Sequence, residues 1–128
     1  MIAVTPFYAG IIALLFIALS FRVIFRRQSA KVSVGAGADS DLEKRIRVHA
    51  NCAEYAPFAL LLLGLLELQG ASAWLLHLMG LTLLAGRFMH AYGLGSTPQV
   101  IFARKNGMIL TFAMIAITAV SNILCAIF

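Results

Sequence analysis

Four long apolar blocks, separated by short polar breaks, make up almost the whole chain. Each approaches or exceeds the roughly 18–20 residues that cross a bilayer as a helix. The blocks lack the polar face at a 3.6-residue period that the helices of a soluble bundle show, so the pattern predicts membrane helices. The first opens at Thr5-Pro6, a capping residue followed by a proline suited to the first turn. It spans about 5–25 and closes on Arg26 and Arg27. Residues 28–40, QSAKVSVGAGADS, are small, polar and glycine-bearing and read as an exposed loop. Asp39 or Ser40 then caps a second helix over about 41–68, with Asp41 and Glu43 favourable in its first turn. This helix is longer than the hydrocarbon needs, so its first turns are expected in the headgroup zone, and Pro57 and Gly64 permit a kink or close packing. A tight turn at 67–72 leads to a third helix over about 72–93, with Trp74 near one interface and Arg87, His90 and Tyr92 near the other. Residues 93–98 break it, and a fourth helix covers about 103–127. The expectation is an all-α fold: one four-transmembrane-helix domain spanning 1–128.

Composition agrees. The chain is 62% hydrophobic and 12% charged, with mean hydropathy +0.95, whereas soluble domains run nearer half apolar and a quarter charged. The net charge of +5 does not indicate nucleic acid, because the basic residues gather at helix ends without aromatic interleaving. Membrane lipid headgroups and the positive-inside bias account for them. Every lysine and arginine flanks the first or third connection, and the opposite side carries only Glu67. The basic side is therefore expected to be cytoplasmic, with both termini on the non-cytoplasmic side. The first block has no basic stretch before it and reads as a retained helix rather than a secretory signal. Cys52 and Cys125 show no metal or redox spacing and fall near opposite faces, so neither a metal site nor an intrachain disulfide is expected.

The candidate chemistry lies at the mouth of the second helix. Offsets of four and seven place Arg47, Asn51 and Glu54 on one helical face. Ionisable groups at the hydrocarbon edge are expensive unless they face a cavity or a partner. A stripe of both charge signs suits a zwitterionic, water-soluble ligand bound beside lipid. Tyr55, then Arg87, His90 and Tyr92 of the third helix, and Arg104 with Asn106 of the fourth fall at the same depth. Four short helices hardly enclose such a group, so some members should face a neighbouring subunit. Blander readings stand beside these. Lys44 and Arg45 suit headgroup-facing cations, His77 suits a helix–helix hydrogen bond, and Glu54 could pair with Arg47 or Arg87 as structural glue.

The run R-x-H-x-N-C-A-E-Y-A-P-F at 47–58 resembles the signature of the MAPEG family, the membrane-associated proteins of eicosanoid and glutathione metabolism. The run Gly86-Arg87-Phe88-Met89-His90-Ala91-Tyr92 and the basic connection with Arg104 resemble it too, and the likeness covers essentially the whole chain. The resemblance implies a bacterial-type inner-membrane member. It would form homotrimers, with glutathione bound between subunits at the cytoplasmic side and lipophilic small molecules as substrates. It puts Arg47, Asn51, Glu54 and Tyr55, with Arg26 or Arg27 and with Arg87 and His90, at glutathione-binding positions. Arg104 is the candidate for stabilising the thiolate, and Tyr92 could donate its hydroxyl to sulfur. Phe88 stands where some relatives carry a ligand-contacting tyrosine, and the loop at 93–98 is glycine-rich rather than basic.

Residue chemistry fits the same ligand. Arginine binds carboxylates through two parallel donors, Glu54 suits an ammonium, and Asn51 suits a peptide amide. A positioned arginine lowers a thiol from its usual pKa of about 8.5 by roughly one to three units. The expected function is a membrane-bound glutathione-dependent transferase or peroxidase acting on lipophilic electrophiles or hydroperoxides. A non-catalytic lipid-binding or scaffold member of the same family is the alternative, since a fold does not make an enzyme. A small transporter subunit is a third reading. It needs a polar path through the other half of the chain, which offers little beyond Glu67, His77 and a few hydroxyls.

Overall fold

The computed structural model describes residues 1–128. Its four helices are α1 (Val4–Ala30), α2 (Ser40–Leu68), α3 (Ala73–Gly95) and α4 (Ile101–Ile127). The fold is all-α, and α1, α2 and α4 are each long and apolar enough to cross a membrane. The chain is an integral membrane protein. The third helix does not reach that apolar threshold, because Arg87, His77 and His90 interrupt its leucines. It is also the most enclosed helix: ten of its 23 residues are buried, Arg87 and His90 among them, against four of 27 in α1. The polar side chains that lower its hydropathy therefore turn largely toward the other helices.

Helix ends explain where the sequence expectations shift. Thr5 does not cap α1. The cap position is Ala3, which offers no side-chain bond. Instead the Glu67 carboxylate accepts the backbone N–H groups of Ala3, Val4 and Thr5, each at 2.7 Å. One carboxylate thus satisfies three of the donors that a helix start leaves orphaned, and its charge sits favourably against the dipole. At the other end α1 runs five residues past the expected Phe25, to Ala30, and stops at Lys31 in the left-handed region with φ 55°. Leaving the hydrocarbon does not oblige a helix to end; the backbone reversal does, and Gly35 and Gly37, at φ 69° and 58°, complete it. Asp39 caps α2 by accepting the Leu42 N–H at 2.8 Å.

The expected break at Gly93 is also absent, since α3 continues to Gly95. Gly93 is a contact point: a Cβ there would collide with the backbone of Arg104 at the start of α4. Two turns earlier a Cβ on Gly86 would lie 2.8 Å from Thr111 Oγ1 and 2.9 Å from the Gly107 carbonyl. Small residues thus let α3 and α4 approach backbone to backbone. Near the opposite end Tyr8 of α1 packs over Gly80, and its hydroxyl lies 3.0 Å from His77 Nδ1. The core between helices is aliphatic, with Leu63, Leu66, Leu83 and Met114 fully enclosed. Outward, large apolar side chains such as Phe7, Leu14, Leu61 and Ile117 stand exposed, as lipid-facing positions do.

A polar cleft at the basic end of the bundle

Ser40, Lys44, Arg47 and Asn51 follow one another at offsets of four, three and four, and so share one face of α2. Opposite them lie His90 and Leu94 of α3, Gln99 of the α3–α4 connection and Arg104 of α4. Together with Glu43 they line a cleft of about 430 Å³ in which Leu94 is the only hydrophobic residue. Three cations, Lys44, Arg47 and Arg104, face it against one carboxylate, Glu43. The walls are braced. Lys44 Nζ donates to the Ser96 carbonyl at 3.1 Å, holding the connection against α2, and Arg104 Nη1 donates to Gln99 Oε1 at 2.9 Å.

Of the residues singled out in the sequence, the chain brings Arg47, Asn51, His90 and Arg104 to this cleft. Glu54 lies two turns along the same helix beyond Arg47, 3.8 Å from its Nη1, with both side chains about half exposed at 52% and 57%. An ion pair that long and that exposed contributes little, so Glu54 keeps free acceptor capacity on the outer surface of the bundle. Tyr92 also faces outward, 64% exposed. Arg26 is elsewhere: it pairs with Asp39 at 2.7 Å and Asp41 at 3.3 Å across the α1–α2 connection. Arg26 Nε and Nη2 donate to the two Asp39 oxygens at 3.3 and 2.7 Å, and with the Leu42 N–H this holds the Asp39 carboxyl below its ordinary range, the Arg26 hydrogen bond being the main cause.

Arg87 lies behind the cleft, not in its wall, and is 2% exposed. Its Nε and Nη2 donate to Thr111 Oγ1 at 3.1 and 2.9 Å, and Nη1 donates to Asn51 Oδ1 at 2.6 Å. Its guanidinium carbon stands 5.7 Å from the centre of the Tyr55 ring, a cation–π distance. Tyr55 is partly buried, packs edge-on to Phe112 and does not line the cleft.

Sequence reasoning missed Ser40, Glu43, Lys44 and Gln99. For the first three the signal was present, because the polar stripe through Arg47 and Asn51 extends one heptad toward the start of α2. Gln99 carried none. A second cavity of about 260 Å³ lies between α1 and α2, lined almost wholly by apolar residues including Ala13, Phe16, Cys52 and Pro57. On α2 these positions point opposite to Asn51 and Arg47, so the apolar groove and the polar cleft are separated by the body of the helix. No three histidine, cysteine or acidic side chains cluster closely enough to hold a metal ion.

A polar, cation-rich cleft opening at one end of an apolar bundle defines the class: a small integral membrane protein of four helices with a charged recess at its basic end. The chain belongs to the MAPEG family, whose family model matches residues 5–124. It is similar to the inner membrane protein YecN of Escherichia coli strain K12, with 37% identity over 120 residues, covering 94% of this chain and 90% of the relative. YecN of Escherichia coli O6:H1 is similar to the same extent.

Proposed function

We propose that this protein is a glutathione-dependent transferase or peroxidase of the bacterial inner membrane. The observation that carries the reading is the cleft, which sets three cations and one carboxylate around a volume of about 430 Å³, within the range of small-ligand sites. Glutathione has two carboxylates for Arg47 and Lys44, an ammonium for Glu43 or Glu54, and a peptide link within reach of Asn51. Arg104 then stabilises the thiolate. The sulfur attacks an electrophilic carbon, whose leaving group departs with the bonding pair. With a hydroperoxide, two glutathione molecules are oxidised to the disulfide while the peroxide is reduced to alcohol and water. Lipophilic substrates reach the site laterally from the bilayer.

Membership of the family and the outward placement of Glu54 and Tyr92 support a homotrimer in which a neighbouring subunit closes the cleft. Tyr92 of one chain then donates its hydroxyl to sulfur held by the next. The third helix serves as a fourth crossing, and the cleft opens to the cytoplasm.

The test is a thermal-shift panel of low-molecular-weight thiols on detergent-solubilised protein, since only ligands of the folded state raise the midpoint. Glutathione should raise it and produce a thiolate absorbance band near neutral pH. Arg104→Ala should weaken that band while leaving the melting temperature of the free protein in place. A panel in which no thiol shifts the midpoint removes the proposal. One observation favours a second reading, a non-catalytic lipid-binding protein: the apolar α1–α2 groove lies where a thiolate in the same chain's cleft cannot reach it. That reading predicts binding of apolar ligands without turnover of electrophiles or hydroperoxides.

A further inference from the structure

Arg87 is a buried cation with no carboxylate beside it. Its hydrogen-bond partners are Thr111 Oγ1, Met108 Sδ at 3.2 Å and Asn51, beside the Tyr55 ring. A guanidinium has donors and no acceptor, so the Asn51 atom 2.6 Å from Nη1 has to be the amide oxygen. The amide nitrogen is then turned away from Arg87. Asn51 lines the cleft, and its nitrogen bonds nothing within the chain. A flip of this amide would set two donors face to face. Thr111 cannot relieve that clash, because its own proton already goes to the Gly107 carbonyl at 2.8 Å.

We propose that Arg87 is a positioning residue that locks Asn51 as a hydrogen-bond donor, so that the cleft selects ligands presenting a carboxylate or carbonyl oxygen opposite Asn51. The lining charge points the same way, with Lys44, Arg47 and Arg104 outnumbering Glu43. The identity of the ligand rests on the glutathione reading above; the polarity of Asn51 rests on the Arg87 contact alone. A site of this polarity takes anionic peptides and dicarboxylates and discriminates against simple amines.

The chain has three asparagines, Asn51, Asn106 and Asn122, so selective nitrogen-15 labelling of asparagine in detergent yields three side-chain amide pairs. Asn51→Asp identifies the Asn51 pair by its disappearance. This variant should melt no lower than the parent, because its carboxylate pairs with Arg87, yet bind both probes about tenfold or more weakly. Titrations with glutathione and with succinate should each shift the Asn51 pair. Arg87→Met should abolish that shift and weaken binding about tenfold; if this variant does not fold, Asn51→Asp and the titrations carry the test. Succinate shifting the pair while glutathione does not would keep the inference and remove the glutathione reading. Glutathione raising the midpoint while the Asn51 pair stays still would do the reverse. An Asn51 pair that answers neither probe, or an Arg87→Met protein whose pair still responds as in the parent, overturns the inference.

Discussion

Thr111 Oγ1 receives two Arg87 donors and passes its proton to its own helix at Gly107. Replacing that hydroxyl by a methyl strands two donors of a buried cation. Thr111→Val should therefore destabilise the protein by about 2 kcal/mol, the scale of an unsatisfied buried polar group. Thr118 is the control. It is equally buried, but its hydroxyl bonds only the Met114 and Ile115 carbonyls of the same helix, so Thr118→Val strands no donor and should cost less, about 0.5–1 kcal/mol. Melting both variants in one detergent checks the contrast, and equal losses would show that Thr111 does no more than fill space. From sequence these two threonines look alike, since each sits in an apolar run where backbonding to the helix is the ordinary outcome. What separates them is the approach of α3 at Gly86. The Arg47 and Asn51 spacing, by contrast, was legible, because a single helix sets it.

At the scale of elements, local signals fared well where the stabilising partner is near in sequence and poorly where it is far. Asp39 caps the next turn of its own chain, one of the two adjacent candidates, with Ser40, that the sequence marked. Glu67 caps α1 from 62 to 64 residues away, so the sequence marked it only as a lone charge in a turn. Glu67→Ala should cost about 1 kcal/mol, as losing a helix cap does. It should also speed hydrogen exchange in the first turn of α1 while leaving α4 protected; uniform protection across α1 would deny Glu67 the capping role.

The Arg26–Asp39 contact closes the α1–α2 connection by a different means, and its response to pH has a definite sign. Asp39 titrates below the ordinary carboxylate range because Arg26 and the Leu42 N–H bind its charged form. Its contribution is therefore complete above the unfolded value of about 3.9 and disappears as pH falls through the lower folded value. Pepsin cleavage of the loop at 31–38 should accelerate across that acidic window. Pepsin's own activity changes over the same range, so the measure is the wild-type rate divided by that of Asp39→Asn at each pH, which should be well below one above the window and approach one within it. A ratio that stays at one throughout would mean that the ion pair leaves the loop unsecured.

The whole molecule is an apolar bundle with one charged end. Three of its four helices, α1, α2 and α4, could be read from hydropathy alone, because membrane helices satisfy their backbone internally and must be continuous. The third helix shows the limit of that logic. Its lower hydropathy reflects Arg87 and His90 being enclosed by the other helices, a fact of tertiary packing that no sliding window contains. The enclosure matters for orientation. Lys44, Arg47 and Arg104 surround the cleft, and the remaining cations stand on the same end, so the charge that sets topology also builds the recess. If the positive-inside bias holds, the cleft must open where a cytosolic thiol pool exists, and both termini must lie across the membrane from it. Alkaline phosphatase fused after Phe128 should then be active in a bacterial host. A fluorescent protein fused at the same place should stay dark, and one inserted in the loop at 31–38 should be bright. The opposite pattern would place the cleft outside the cytoplasm and separate it from the glutathione it is proposed to bind, even with every contact described above intact.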